Sequence, residues 1–298
     1  MKSNISVIIL TKNEIIHIER SIRNALKLTP YVYVLDSAST DGTQEKAKSL
    51  GVKVFQYNWT NSSTFSKKIN WGLENIPFKT SWIIRLDADE YFLDNTINNL
   101  SDHLEKICPN INAATLNRRI HFKGKWIKNG SQYPRTMVRV LRKGFCHYES
   151  RRLDENVIVD QNTIKNLSFD FVDDNLITIS KWIKKHDTYA MSEAIEMLHN
   201  EIGIFKREES IISGKKAKTN KSIYFKLPMY WRAFFYFFYR YFIKLGFLDG
   251  YQGFIWHFFQ GWWYRVLVDI KISEINKACG SDVNKIKVYL KKEYNIEL

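Results

Sequence analysis

The chain has 298 residues and is strongly basic, with 45 Lys and Arg against 31 Asp and Glu and a formal net charge of +14. This length predicts one full α/β core plus an appendage. The charge indicates an anionic partner, which could be nucleic acid, anionic lipid or a phosphorylated substrate. The three cysteines are far apart and form no CxxC pair. A disulfide framework or a zinc site is therefore not expected, and a reducing cytosol fits best.

Apolar runs in the sequence are short. The first run, at residues 5–10, is too short for the core of a signal peptide and is typical of a strand. No stretch reaches the roughly 18 uninterrupted apolar residues that a membrane-spanning helix needs. The sequence therefore predicts neither a secretory leader nor a membrane span.

Strand and helix patterns alternate in the first part of the chain. Apolar strand-like runs occur at 5–10, 31–35, 52–57 and 82–86, and helical spacing occurs at 15–28, 43–50 and 65–76. Repeated βα units with continuous apolar strands predict a parallel sheet covered on both faces. Ligands of such sheets bind beyond the carboxyl ends of the strands.

The pattern changes after about residue 110. Short strand-like pieces at 114–118, 137–141 and 157–159 lie among loops rich in Gly, Lys and Arg, and the chain becomes helical after about Thr178. A basic link then leads to two aromatic blocks at 230–247 and 254–270. These changes predict a catalytic α/β domain over 1–175 and a helical region over 176–298.

Polar residues follow three of the predicted strands. Thr11-Lys-Asn-Glu14 follows the first, Asp36 ends the second, and Asp87-Ala-Asp89 ends the fourth. A carboxylate pair at a strand end can hold Mg²⁺ or Mn²⁺ together with a diphosphate, because these cations prefer oxygen ligands. Acidic residues in such places are also common as helix caps.

These motifs resemble the family 2 glycosyltransferases of GT-A fold. Residues 5–14 read ISVIILTKNE, residues 34–43 read VLDSASTDGT, and residues 86–90 read LDADE. Four later segments resemble more narrowly the branch that includes lipopolysaccharide inner-core β-1,4-glucosyltransferases. They are Tyr133-Pro134 to Arg142, Arg152 to Glu155, Lys185 to Ala190 and Gly246 to Gly250. The resemblance covers nearly the whole chain and is more specific for fold and reaction type than for the sugar.

The resemblance implies a nucleotide-sugar site at the strand ends. Asp36 would accept a hydrogen bond from the uracil ring, Asp87 would contact the ribose, and Asp89 would bind the metal. The other residues that would contact the nucleotide-sugar are Thr11, Asn13, Glu14, Lys67, Lys68 and Asn70. A solvated helix face is the alternative interpretation of Lys67 and Lys68.

An inverting transfer needs one general base, which takes the proton of the acceptor hydroxyl. The resemblance favours Glu155 for this role and leaves Asp154 as the second candidate. A surface turn with a salt bridge is the alternative. Arg135, Arg139 and Arg152 belong to a basic stretch that could receive a phosphorylated or carboxylated acceptor, although a solvated basic strand remains the alternative for each.

The first aromatic block carries a polar stripe of Arg232, Tyr236, Arg240 and Lys244 at helical spacing. An aromatic helix with a cationic stripe suits the headgroup boundary of an anionic membrane, lying in its plane. The alternative is a helix pair that packs as a core or dimer interface.

Together these features predict a metal-dependent inverting transferase. We expect a hexose such as glucose to pass from a UDP-sugar to a glycolipid or lipid-linked glycan, in lipopolysaccharide or cell-surface polysaccharide synthesis at the inner face of the cytoplasmic membrane. The alternatives are a same-fold enzyme with a soluble or protein acceptor, and a basic non-enzymatic protein that binds membrane or nucleic acid. A nucleic-acid partner is disfavoured, because the sequence has no recognised binding module.

Overall fold

The computed structural model describes residues 4–60, 63–149, 156–204 and 227–297. The chain divides into two compact units. The first comprises residues 1–59, 67–148 and 157–176, and the second comprises residues 60–66, 149–156 and 177–298.

The first unit is built on a nine-stranded sheet with helices on both sides. Its strands are β1 (Ile5–Thr11), β2 (Val32–Asp36), β3 (Lys53–Gln56), β4 (Trp82–Asp87), β5 (Glu90–Phe92), β6 (Ala113–Phe122), β7 (Lys125–Ile127), β8 (Thr136–Arg142) and β11 (Ile164–Asp174), with β9 (His147–Tyr148) and β10 (Val157–Ile158) forming a separate pair. Its helices are α1 (Ile15–Leu28), α2 (Thr43–Ser49), α3 (Phe65–Asn75) and α4 (Asp94–Glu105).

The first half of the sheet is parallel, in the order β3-β2-β1-β4. β1 and β2 are buried along their whole length. Their register pairs Thr11 with Asp36, and β1 pairs Leu10 with Asp87 of β4. The carboxyl ends of the three strands, and the polar residues there, therefore meet at one edge of the sheet.

The second half of the sheet is mixed. β8 runs antiparallel to both β4 and β6, β6 and β11 are parallel, and β5 runs antiparallel to β11. The β5–β11 register places Asp173 opposite Glu90. This half brings further acidic residues beside the end of β4.

The core lies on both faces of the sheet, as the continuous apolar strands predict. Val7 and Ile9 pack on one side with Ile22 of α1, whereas Ile8 and Leu10 pack on the other side in the cluster of α3. Alternate residues of one strand thus enter different clusters, because successive side chains point to opposite faces. The predicted α/β class is confirmed.

The second unit is helical in its described part. It contains α5 (Ile179–Ile202), α6 (Trp231–Phe238), α7 (Gly250–His257), α8 (Tyr264–Cys279) and α9 (Val283–Tyr294), with π-helical turns at Tyr239–Ile243 and Phe258–Trp263 and a 3₁₀ turn at Gly246–Asp249. Its core joins α5, α8 and α9 through residues such as Ala194, Ile275 and Ile286. Within the described ranges, no helix combines the length and apolarity needed to cross a bilayer.

The predicted polar stripe of the first aromatic block does not face the solvent. Arg232 and Arg240 are each 5% exposed, whereas Lys244 is exposed. Arg232 forms a buried ion pair with Asp269 of α8. The expectation that both arginines lie at lipid headgroups is therefore wrong. Helical spacing identifies two opposite faces but cannot tell which one meets a buried carboxylate.

Candidate functional site

Asp36 is the most tightly held side chain at the carboxyl edge of the sheet. It is fully buried. Its Oδ2 accepts hydrogen bonds from Thr11 Oγ1 at 2.7 Å and from Ser39 Oγ at 2.5 Å. Its Oδ1 accepts from the Ser39 N–H at 2.7 Å and from Gln44 Nε2 at 2.8 Å. A base N–H can reach this carboxylate only if the Ser39 hydroxyl or the Gln44 amide gives up its bond.

The loops that follow β1 and β2 are bound to each other. Asn13 adopts a left-handed backbone with φ of 56°, a conformation that Asn tolerates better than most residues. Its N–H donates to Ser39 Oγ at 2.8 Å, and its side-chain oxygen accepts from the Thr40 N–H at 2.9 Å. The Glu14 N–H donates to Thr43 Oγ1 at 2.8 Å. The two loops thus form one preorganised rim.

Glu14 is oriented by a histidine that the sequence analysis did not single out as functional. His17 has no solvent exposure, and its Nδ1 lies 2.6 Å from Glu14 Oε2. Its Nε2 accepts a hydrogen bond from the Leu176 N–H at 2.9 Å. Because Nε2 accepts, Nδ1 carries the proton and donates to the carboxylate. The ring therefore fixes Glu14 and the segment after β11 in one arrangement.

The adjacent lysines of α3 differ in position. Lys68 is 1% exposed, and its Nζ donates to the Thr11 carbonyl at 2.8 Å. Burial lowers the pKa of Lys68 to about 8, and this lowering is opposed by the negative charges of Asp36 and Asp87. Lys67 is exposed. The structure thus brings Lys68, and not Lys67, to the edge with Asp36.

The side chain of Asn70 is bonded to the backbone of β9. Its side-chain amide donates to the Tyr148 carbonyl at 2.8 Å, and its side-chain oxygen accepts from the Tyr148 N–H at 2.7 Å. These two bonds attach α3 to β9 as a neighbouring strand would. Asn70 therefore shapes the wall formed by α3.

Asp87 lies among cations at the end of β4. Arg85 Nη2 is 3.1 Å and 3.3 Å from its two carboxylate oxygens, and Arg139 Nη2 is 3.5 Å from Oδ2. Its N–H donates to Glu90 Oε2 at 2.9 Å. The side chain of Asp87 is 36% exposed. It therefore faces the open edge with its charge partly compensated from beneath.

Arg139 lies in a different place from that expected of an acceptor contact. It is 2% exposed and forms an ion pair with Glu90, which is equally buried. Burial raises the pKa of Glu90, and the charge of Arg139 opposes that rise. The pair lies beneath Asp87, which positions Arg139 as a support of the site.

Asp89 is partly exposed, and its carboxylate is held from one side. Asn175 Nδ2 donates to Asp89 Oδ2 at 2.8 Å. The Asp89 carbonyl accepts from Arg20 Nη2 at 3.2 Å and from the Asp174 N–H at 3.1 Å. Burial, followed by the charge of Asp89, raises the pKa of nearby Asp173 to about 6. The segment after β11 thus fixes the orientation of Asp89.

The residues at this edge fit a divalent cation that shares its coordination with a ligand. Among the described residues, no three or more His, Cys, Asp or Glu side chains are arranged to hold a metal by themselves. Mg²⁺ commonly takes one or two carboxylates and completes its shell with water and phosphate oxygens. Asp89 offers such a carboxylate in the partly exposed turn between β4 and β5.

Several expected residues lie outside this edge or outside the description. Asp154, Glu155 and Arg152 are outside the described residues. Arg135 is exposed, at the start of β8. Arg85, Glu90, His17 and Asn175 were missed as site residues. Arg85 and Glu90 flank the Asp-Ala-Asp motif, and His17 follows Glu14 by one helical turn, so their sequence positions could have identified them. No neighbouring motif identifies Asn175.

The sequence model of one protein family, Glycosyl transferase family 2, matches residues 6–175, more than half of the chain. Uncharacterized glycosyltransferases of Rickettsia are similar over most of their length. The protein of Rickettsia typhi is 25% identical over 259 residues, which are 84% of this chain and 80% of that protein. The protein of Rickettsia bellii is 26% identical over 267 residues, 86% of this chain and 81% of that protein.

Solved structures show more distant similarity. S. aureus TarS 1–349 in complex with UDP is 14% identical, with a TM-score of 0.45, over 99% of this chain and 92% of that one. Glucosyl-3-phosphoglycerate synthase from Mycobacterium tuberculosis, in complex with Mn²⁺, UDP and its product, is 20% identical, with a TM-score of 0.33, over 39% of this chain and 44% of that one. By its family match, with the α/β sheet and polar strand ends described above, the chain belongs to glycosyl transferase family 2 and is a glycosyltransferase of the GT-A fold.

Proposed function

We propose that the protein transfers a hexose such as glucose, with inversion, from a UDP-sugar to a glycolipid or lipid-linked glycan. The observation that carries the proposal is the meeting of Thr11, Asp36, Lys68, Asp87 and Asp89 at the carboxyl edge of β1, β2 and β4. This edge combines hydrogen-bond acceptors for a nucleoside with a buried cation and a cation-binding carboxylate for a diphosphate.

The nucleoside end of the donor site is assigned to Asp36 and Asp87. A uracil N–H would replace the Ser39 hydroxyl or Gln44 amide at the Asp36 carboxylate, since both are side-chain donors that can rotate away. Asp87 would accept from ribose hydroxyls at the open edge. The preformed rim of Asn13, Glu14 and their partners supports this assignment, because an ordered site loses little entropy on binding.

The diphosphate end is assigned to Asp89 and Lys68. Asp89 would hold Mg²⁺ or Mn²⁺, and a bound cation would neutralise the charge of the departing diphosphate. Lys68 adds positive charge close to Thr11 and within the field of Asp36 and Asp87. Asn175 and Arg20 hold the turn that contains Asp89 in place.

The general base of the proposal is Glu155, with Asp154 as the alternative. Its carboxylate would take the proton of the acceptor hydroxyl while that oxygen bonds to the anomeric carbon on the face opposite the diphosphate. The bond to the diphosphate oxygen breaks in the same step, so the configuration inverts. This assignment rests on the sequence motif, since both residues lie outside the described ranges.

The acceptor and the location form the remaining part of the proposal. We place the enzyme peripherally at the inner face of the cytoplasmic membrane, in lipopolysaccharide or cell-surface polysaccharide synthesis. The net charge of +14 and the aromatic second unit support a lipid-linked acceptor. Exposed Arg135 and the sequence position of Arg152 suit anionic groups on it.

A donor and acceptor panel tests the proposal. Purified protein with Mg²⁺ or Mn²⁺ would be offered UDP-glucose, UDP-galactose, other UDP-hexoses and GDP- or CMP-sugars, and release of the nucleotide would be measured with and without lipid-linked glycans. We expect one UDP-hexose to be used and a lipid-linked glycan to accelerate its use. NMR of the product would show the inverted anomer. Transfer to a soluble sugar or protein in preference to every lipid-linked acceptor would contradict the acceptor assignment.

A further inference from the structure

In residues 231–254 of the second unit both arginines are buried, whereas most of the aromatic side chains are exposed. Arg232, Arg240 and Asp269 are all at most 5% exposed. Six Trp and Phe residues are each at least 43% exposed. We call these six the aromatic face: Trp231, Phe235, Phe238, Phe242, Phe247 and Phe254.

The aromatic face is continuous. Phe234 and Tyr241, which are half-buried, bridge neighbouring rings of the face. The ring centroids lie 4.9–6.5 Å apart along the pairs Trp231–Phe235, Phe234–Phe235, Phe234–Phe238, Phe238–Phe242, Tyr241–Phe242, Tyr241–Phe247 and Tyr241–Phe254. These spacings are those of rings in contact. The exposed rings therefore form one patch.

A buried ion pair sets the direction in which this patch points. Arg232 Nε donates to Asp269 Oδ1 at 2.9 Å, and the Tyr230 N–H donates to Asp269 Oδ2 at 2.7 Å. Residues 231, 235, 238 and 242 have helical spacing, so they share one face, and the buried arginines lie off that face. Water-facing helices normally have the reverse arrangement. A large exposed apolar patch indicates a membrane or a protein partner.

The composition around the patch favours a lipid bilayer with anionic headgroups. Residues 227–248 contain no Asp or Glu, and Lys244 is exposed. The preceding sequence, residues 206–226, is rich in lysine, and the chain carries a net charge of +14. Tyr230, Tyr239 and Tyr251 are also exposed. Tyrosine and tryptophan prefer the level of the headgroups, whereas phenylalanine suits the acyl boundary.

We infer that the aromatic face inserts into the interfacial layer of an anionic bilayer, with the helix in the membrane plane. The inference rests on the proposed function, because it assumes that the bilayer bound by the protein is the one that carries the lipid-linked acceptor. The aromatic rings provide most of the attachment, because the two arginines nearest to them are buried in the protein. Exposed Lys244 adds attraction to anionic headgroups.

Vesicle co-sedimentation tests the inference on the full chain. The wild type would be compared with the triple variant Phe235→Ser, Phe238→Ser, Phe242→Ser and with the control Leu26→Ser, Phe145→Ser, Val288→Ser, which removes exposed apolar side chains elsewhere. Vesicles would be phosphatidylcholine alone or mixed with phosphatidylglycerol, at low and high salt. We expect the triple variant to lose at least about tenfold in partitioning and the control to retain it, because burial of each ring favours binding.

Salt and oligomeric state supply the discriminating results. Wild-type binding should be stronger on the mixed vesicles, and high salt should weaken it without abolishing it. Binding that high salt abolishes, or that the triple variant retains in full, overturns the inference. So does a wild-type dimer that the triple variant converts to a monomer with no vesicle binding, since the face would then join two copies.

A conservative variant tests the same face without risk to folding. Trp231 is 62% exposed and Trp59 of the first unit is 43% exposed. Brominated phosphatidylcholine should quench the tryptophan fluorescence of bound wild type, and Trp231→Phe should lose a larger share of that quenching than Trp59→Phe. Equal quenching in the two variants contradicts insertion of the face.

Failure of this inference can be told apart from failure of the proposed function. Release of UDP from the donor in the absence of vesicles measures the donor site alone, and the triple variant should keep the wild-type rate of this release. If the protein releases UDP but does not bind vesicles, the donor assignment stands and the membrane surface is excluded. A protein that binds vesicles but uses no UDP-sugar retains the surface and loses the donor.

Discussion

The acidic side chains at the sheet edge are each held in place by neighbouring polar residues. Asp89 is held by Asn175, Glu14 by His17, and Asp36 by Thr11 and Ser39. Positioning residues of this kind restrict a carboxylate to one orientation before the ligand arrives, which reduces the entropy cost of binding. Substituting a carboxylate should therefore affect ligand binding differently from substituting the residue that orients it.

Asp89→Ala should abolish transfer and leave folding unchanged, because the side chain is partly exposed and bonded on one side only. We expect a loss of at least about 10²-fold in kcat/KM, with a melting temperature close to that of the wild type. Binding of Mn²⁺ in the presence of UDP, followed by electron paramagnetic resonance, should also be lost. Retained Mn²⁺ binding in the variant would disprove the metal role.

Asn175→Ala should weaken metal binding without removing it. The Asp89 carboxylate loses the hydrogen bond that orients it but keeps its charge. We expect Mn²⁺ affinity in the presence of UDP to fall about tenfold, as for other residues that orient a metal ligand, and kcat at saturating Mn²⁺ to change much less. Asn99→Ala is the control, since Asn99 lies on the exposed face of α4 and bonds to Asn95 one turn earlier. A variant that loses kcat at every Mn²⁺ concentration would contradict this positioning role.

The buried amine of Lys68 predicts a pH dependence of donor binding. Its pKa is lowered to about 8 in the folded chain, so the positive charge is present below that pH and lost above it. We expect UDP affinity, measured by calorimetry, to fall as pH rises through about 8, and Lys68→Met to remove that fall. A variant whose UDP affinity has the same pH profile as that of the wild type would exclude Lys68 from donor binding.

The lowered pKa of Lys68 also affects stability. Because the folded pKa lies below the ordinary value of 10.5, the unfolded chain binds more protons between the two values. This group alone therefore makes stability rise with pH in that range.

Glu155→Gln should reduce turnover by about 10²-fold or more while donor binding changes little, because a general base acts on the acceptor proton. Asp154→Asn should reduce turnover less. Rates at saturating donor and the affinity for UDP provide the two measurements. The reverse ranking would assign the base to Asp154.

At the scale of elements, the sequence predicted the parts of the fold that bury continuous apolar runs. β1, β2 and β4 and helix α1 lie within one residue of their predicted positions. β11 was missed because residues such as Lys165, Asn166 and Asp170 break any apolar run. α4 was missed because its Asn, Asp, Ser and Thr residues have low helix propensity, and only Leu100, Leu104 and Thr96 make its buried stripe.

The sequence predicted the part of the candidate site that lies at the strand ends. Residues at strand ends were found because a parallel sheet brings carboxyl ends together, and Asp36, Asp87 and Thr11 do meet there. Arg139 and Asn70 were given ligand roles because sequence position does not report burial or backbone partners. Asn175 lies 86 residues from Asp89, and only the pairing of β5 with β11 brings the two together.

The 3₁₀ turn before α7 depends on a close approach that only glycine permits. A Cβ on Gly246 would lie 2.6 Å from two atoms of the buried His257 ring and 2.9 Å from the Arg240 carbonyl. Gly246→Ala should therefore destabilise the protein by about 1–3 kcal/mol. Gly261→Ala is the matched control, because its Cβ would meet ordinary contacts of 3.5 Å and more. Urea unfolding of both variants gives the comparison, and equal stability would contradict this packing.

At the scale of the whole molecule, the two units hold separate features. The donor residues belong to the first unit and the aromatic face to the second. Hydrogen exchange read by mass spectrometry should show protection at residues 11–14, 36–43 and 87–90 when UDP and Mg²⁺ are added. It should show protection at 231–254 when anionic vesicles are added. Protection of the same peptides by both additions would contradict the division of roles.

The buried Arg139–Glu90 pair has a consequence for how this enzyme can change. Losing Arg139 alone should cost about 3–5 kcal/mol, whereas replacing both residues by apolar side chains of similar size is often neutral or stabilising. The apolar pair would remove the acceptor of the Asp87 N–H and the cation beneath Asp87. Selection for a more stable chain would therefore act against the donor site, and descendants that keep the activity should retain both Arg139 and Glu90.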